Sequence, residues 1–103
     1  MLLGVLDQSP IREGGTAADA LRETIELAVV CERLGYERFW VAEHHSLPGI
    51  ASTSPEILIG QIGAATSTIR VGSGGVMLPH YSAFKVAENF RMLETLFPGR
   101  VDL

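Results

Sequence analysis

The sequence predicts an α/β fold in which parallel strands alternate with helices, and three observations lead there. Strand-like apolar runs open near Leu2, Phe39, Arg70 and Arg100, a spacing of about one strand-helix-strand unit each time. Between them lie segments with helical apolar periodicity and recognisable end signals. Apolar residues form 47% of the 103-residue chain without counting its 11 glycines, a richness that suits a sheet buried on both faces.

The first strand is expected over residues 2–6. A glycine-rich loop follows, and Thr16 opens a helix in a Thr-x-x-Asp arrangement with Asp19, the pattern of a capping box. Leu21, Ile25, Ala28 and Val29 share one face of that helix, which should stop at Gly35, where glycine suits a left-handed C-terminal cap. Residues 39–42 form the second strand. Ser54-Pro55 joins an N-cap residue to a proline at the first helical position and leads into Ile57, Leu58, Ile62 and Ala65 as the inward face. Residues 71–75 start the third strand. The third helix runs from about Ser82 to Leu96, with Ala83, Val86, Ala87, Phe90 and Leu93 inward and Pro98-Gly99 as its stop. Residues 101–103 then open a fourth strand, so residues 1–103 form one incomplete domain.

Composition excludes several classes. The net charge of -4, with no basic patch, argues against a nucleic-acid partner. No apolar stretch is long enough to span a bilayer, and residues 1–7 lack the basic residues of a signal peptide, so no membrane partner and a cytoplasmic location are expected. The single cysteine, Cys31, rules out an internal disulfide and reads as a small buried hydrophobe.

Parallel strands with helical crossovers leave two architectures, an open doubly wound sheet or a (β/α)8 barrel. A dinucleotide-binding sheet would carry G-x-G-x-x-G after its first strand, where this chain has Asp7-Gln8-Ser9-Pro10. Gly72-Ser73-Gly74-Gly75 lies within the third strand and leads to Val76-Met77-Leu78, so a phosphate loop is the weaker reading. In both architectures ligands sit beyond the carboxyl ends of the strands. The stretch RFWVAEHHSLPG places an acid and two histidines at that end of the second strand.

Strand alternation keeps Glu43, His44 and His45 from all entering one pocket. A metal site on a strand would favour His-x-His, so none is expected here. One histidine facing the mouth as proton donor, with the other orienting it or packing behind, fits the spacing. Two histidines that merely satisfy loop carbonyls are the bland alternative. Asp7, Gln8 and Glu43 are weak candidates for the substrate side of the mouth, with a local turn of Asp7 and Ser9 before Pro10 as the alternative. Val76, Met77 and Leu78 read as apolar walls or core, Met77 as core. His80 and Tyr81 read as shaping a surface loop.

Four stretches taken together carry a resemblance: Trp40-Val41-Ala42-Glu43-His44-His45, Pro48-Gly49-Ile50-Ala51-Ser52, Arg70-Val71-Gly72-Ser73-Gly74-Gly75-Val76-Met77-Leu78-Pro79 and Leu96-Phe97-Pro98-Gly99-Arg100-Val101-Asp102-Leu103. In this order they resemble the amino-terminal part of the bacterial luciferase-like flavin monooxygenases. The resemblance implies a partial (β/α)8 TIM barrel of three strand-helix units and the start of a fourth strand. It also implies an oxidoreductase that uses reduced FMN from a separate flavin reductase, and O2, to oxygenate a small organic substrate; some relatives use F420 instead. Carried over, His44 and His45 are the catalytic candidates. Ser73, Gly74, Gly75 and Val76 match the cofactor-binding stretch along the flavin ring, where relatives can carry a non-proline cis peptide.

A (β/α)8 barrel takes roughly 250 residues, so the expectation is the front of a longer enzyme. Three strands with a stub leave two open edges and an uncovered face, which predicts homo-oligomeric association. The competing expectations are a short, non-catalytic, oligomeric partial-barrel module that binds or scaffolds, and a doubly wound binding protein.

Overall fold

The computed structural model describes residues 2–103. Its elements are β1 (Gly4–Asp7), α1 (Ala17–Arg33), β2 (Arg38–Val41), α2 (Pro55–Ala65), β3 (Arg70–Ser73), a 3-10 turn (Leu78–His80), α3 (Ala83–Leu96) and β4 (Val101–Asp102). The four strands are all parallel and stand in sequence order, β1-β2-β3-β4. A doubly wound sheet reverses its strand order at a switch point, whereas a barrel adds each strand beside the last. Sequential order with one-handed crossovers also sends every helix to the same face. The architecture is that of a partial (β/α)8 barrel.

Strand alternation then separates two faces. Phe39, Val41 and Val71 point to the helices and form a core with Ala28 and Cys31 of α1, Leu58, Ile59 and Ile62 of α2, and Val86, Phe90 and Leu93 of α3. Fully burying a side chain the size of Phe39 contributes about 2–3 kcal/mol. The opposite face carries no helix, and Leu6 on it is 58% exposed. There Asp102 accepts from Arg70 Nε at 3.0 Å and Nη2 at 2.6 Å, and from Arg38 Nε at 3.2 Å. The Arg70 guanidinium beside it holds the Asp102 carboxyl below its ordinary range. Gly72 makes room for this cluster: a Cβ there would lie 2.6 Å from the Asp102 carbonyl oxygen and 2.8 Å from the Trp40 ring.

The helix ends follow local chemistry, with one exception. Thr16 Oγ1 accepts from the Asp19 N–H at 3.1 Å while the Asp19 carboxylate accepts from the Thr16 N–H at 3.2 Å, a complete capping box. Gly35, at φ 88°, turns the chain after α1. Ser82 caps α3 through the Lys85 N–H. Ser54 stands at the cap position of α2 without a side-chain bond to the helix backbone, so Pro55 alone marks that start.

Some expectations are corrected. The first strand begins at Gly4; Leu2 and Leu3 are 76% and 51% exposed. On α2 the buried stripe is Leu58, Ile59 and Ile62, while Ile57 is 67% exposed and Ala65 is exposed. On α3, Ala83 and Ala87 are exposed, and the core takes Val86, Phe90 and Leu93. The third strand ends at Ser73, although the Gly74 N–H still donates to the Val41 carbonyl at 2.8 Å. No helix of the described residues is long and apolar enough to cross a membrane.

Candidate functional site

The register sets Asp7 beside Val41 and Val41 beside Ser73, so β1, β2 and β3 finish at one level. The loops leaving them converge on a concavity of about 280 Å³, lined by Leu6, Gln8, Ala42, Glu43, His44, Gly74, Gly75, Val76 and Met77. Two grooves of about 310 and 370 Å³ open along the flank of α1 and share Arg12, Ala20, Glu23 and Glu26. The Arg12–Glu23 pair there is exposed, at 3.1 Å, and reads as solvated surface.

The mouth is built partly by loops that pair with each other. Residues 9–11 after β1 run antiparallel to residues 49–51 after β2, through a bridge of Pro10 with Ile50 and bonds from Ile11 N–H to Gly49 O at 2.8 Å and Ala51 N–H to Ser9 O at 3.0 Å. Ser52 adds its hydroxyl to the Ala42 carbonyl at 2.5 Å, and the His44 N–H donates to the Ser52 carbonyl at 3.0 Å. The Pro-Gly-Ile-Ala-Ser stretch thus positions the end of β2 and, with it, His44.

Of the residues singled out in the sequence, His44, Glu43, Gln8, Gly74, Gly75 and Val76 meet in the concavity; Asp7, His45 and Ser73 do not line it. Asp7 lies on the helix side of β1 and accepts from the Ser9 N–H at 3.0 Å and the Thr24 hydroxyl at 2.5 Å, which is the local-turn alternative. Ser9 is fully buried at φ 52° and shares a 2.6 Å hydroxyl contact with Thr24. Ser73 is also turned from the mouth: its hydroxyl donates to Gly75 O at 2.6 Å and accepts from Gly75 N–H at 3.2 Å, bending the chain that Gly74 and Gly75 present. All peptide bonds among the described residues are trans, including those of residues 73–76. Met77 is corrected from core to mouth wall, 39% exposed, and Leu78, expected as wall or core, lies at the surface, 55% exposed.

The acid and the second histidine belong together. Glu43 has a fully buried side chain, and its Oε2 accepts from His45 Nε2 at 2.5 Å and from the Tyr81 hydroxyl at 2.7 Å. Its Oε1 accepts from the Met77 N–H at 3.3 Å. Burial alone would raise the Glu43 carboxyl, but the donors of His45, Tyr81 and Met77 outweigh it and hold the group below the ordinary carboxylate range. An ionised carboxylate only accepts, so His45 carries its proton on Nε2. His45 also lies against His80, the rings tilted by 60° with centroids 5.5 Å apart. The second histidine is therefore the partner of Glu43, not of His44.

Tyr81, expected only to shape a surface loop, is the partner of Glu43 that sequence reasoning did not anticipate. Its contact with Glu43 spans 38 positions, and no local periodicity marks it. The carboxylate pushes the Tyr81 phenol up to about 12. No group of three or more His, Cys, Asp or Glu side chains among the described residues is arranged to hold a metal ion.

Comparison with known proteins places the chain in a family. The family described as luciferase-like monooxygenase matches residues 1–103. The N-acetyl-S-alkylcysteine monooxygenase of Bacillus subtilis is 57% identical over 101 residues, 98% of this chain and 30% of that protein. Among solved structures, apo-MsnO8 superposes with a TM-score of 0.97 at 58% identity, covering 99% of this chain and 31% of that one. The oxygenating constituent of 3,6-diketocamphane monooxygenase from Pseudomonas putida, a type II Baeyer-Villiger monooxygenase in complex with FMN, gives 0.92 at 26% identity, covering 100% of this chain and 28% of that one. The chain spans about 30% of the length of the curated relatives it matches.

Proposed function

Because the chain belongs to the luciferase-like monooxygenase family, we propose that its concavity is the flavin-facing part of a monooxygenase site acting on a small organic substrate with O2. One observation carries this reading: His44 and the glycine backbone of Gly74 and Gly75 line the same hollow at the strand ends. The residues present fit a flat aromatic cofactor. A Cβ at Gly75 would meet nothing within 4 Å, so the backbone there offers an unobstructed edge. The FMN complex of the diketocamphane neighbour supports FMN as the cofactor. Bound reduced flavin, supplied by a separate reductase, brings the electrons that activate O2.

Each remaining task falls to a residue of this chain. Gly74, Gly75 and Val76 bind along the ring, with Ser73 setting their bend. Leu6, Val76 and Met77 exclude water from the reacting oxygen. His44 holds and donates a proton at its imidazole, a group that can serve as acid or base through a cycle. Glu43 is ionised and engaged by three donors, which removes it as the proton source.

The test is product formed per flavin oxidised. His44→Ala is expected to lower it on the order of 10²-fold, the usual scale for a positioned acid or base, while FMN still binds. Equal yield in the variant would remove His44 from this role. The bare sheet face favours a second reading, an oligomeric partial-barrel module that binds without turnover. That reading is marked by a stable oligomer with no O2-dependent product.

A further inference from the structure

Residues 77–81 leave the wall of the concavity at Met77, and none of the side chains in the turn Leu78–His80 is buried. Met77 and Tyr81, at its two ends, are 39% and 37% exposed. Apolar burial therefore contributes little to holding this segment in place. What crosses from it to the rest of the fold is polar: the Met77 N–H and the Tyr81 hydroxyl both donate to the Glu43 carboxylate at the end of β2. His45 donates to the same carboxylate from the β2 side. A fully buried carboxylate is costly unless its lone pairs are filled, and here three donors from three positions fill them.

We propose that Glu43 is a positioning residue, a clasp that fixes residues 77–81 against the end of β2 and so orders the wall beside Gly75 and Val76. The carboxylate touches no reacting atom; it acts through the segment it holds. The consequence for cofactor binding rests on the flavin reading above, whereas the clasp itself does not. Tyr81 is the reporter, because its phenol lies against the Glu43 carboxylate.

The experiment compares the full chain with Glu43→Gln and Tyr81→Phe by amide hydrogen exchange. In Glu43→Gln, amides of residues 77–82 should exchange on the order of tenfold faster, the scale set by one ordinary hydrogen bond, with amides of β2 and β3 unchanged. The phenol titration of Tyr81, taken as the difference from Tyr81→Phe, should fall from about 12 toward the ordinary value of about 10. A purely space-filling Glu43 would leave that titration in place. Should Glu43→Gln not fold, Tyr81→Phe at its exposed site must by itself speed exchange in residues 77–82. Unchanged exchange and titration in folded variants would overturn the clasp. FMN affinity, measured separately, should weaken in Glu43→Gln. If the unaltered chain bound no FMN, the flavin reading would fall while exchange still decided the clasp.

Discussion

Glu32, on the last turn of α1, reaches across to the segment between α2 and β3. Its Oε2 accepts from three consecutive amides, Ser67 at 2.8 Å, Thr68 at 2.6 Å and Ile69 at 3.0 Å, and from the Thr68 hydroxyl at 3.2 Å. Burial alone would raise its carboxyl, but these donors outweigh it and hold the group at about 2, below the ordinary 4.5. A carboxyl depressed by folding stabilises the native state above its unfolded value, and that contribution fades as pH falls from about 4.5 toward 2. Unfolding followed by circular dichroism should show stability dropping through this window, and Glu32→Gln should flatten the drop. Some slope must remain, because Glu43 and Asp102 are depressed as well. An acid limb identical in the variant would rule the clamp out. A glutamate on a helix reads in sequence as a solvated charge, and its partners lie 35 to 37 residues on. The same distance hid the Tyr81–Glu43 contact from a reading that expected one histidine at the mouth, because alternation is local and contacts across a fold are not.

Helix starts show where local chemistry suffices. The Thr-x-x-Asp pattern is satisfied in both directions at α1, whereas the serine before Pro55 makes no side-chain capping bond. Thr16→Ala should therefore cost about 1 kcal/mol of unfolding free energy in urea, and Ser54→Ala should stay within about 0.5 kcal/mol. Equal losses would mean that the two caps do not differ in solution. The phase of α2 was less legible. Ile57, Leu58 and Ile59 are three apolar residues in a row, so periodicity alone cannot say which pair faces the sheet. Tertiary partners decide it: Phe97 lies over Gly63, and Thr66 Oγ1 accepts from Arg100 Nη2 at 2.6 Å, which turns Leu58, Ile59 and Ile62 inward.

At the scale of the molecule, the parallel order of strands was legible because their spacing and the helical periodicity between them are properties of long windows. The helix-free face was legible only as a count of missing cover; its Asp102 cluster and the room Gly72 makes for it depend on strands meeting in register. On that face Leu6 is 58% exposed. Apolar surface open to water recruits other chains, so these 103 residues prepared alone should sediment as a species heavier than 11.1 kDa, and Leu6→Lys should return them toward the monomer. A monomer without the substitution would show that the face is quiet in water. The pairing of residues 9–11 with residues 49–51 has a different implication, for redesign. These two loops are stitched by backbone bonds, so they form a cassette that can be transplanted only as a pair. Grafting one without the other would break the stitching and shift His44, whereas residues 77–81, tied at few points, form the interchangeable part of the rim.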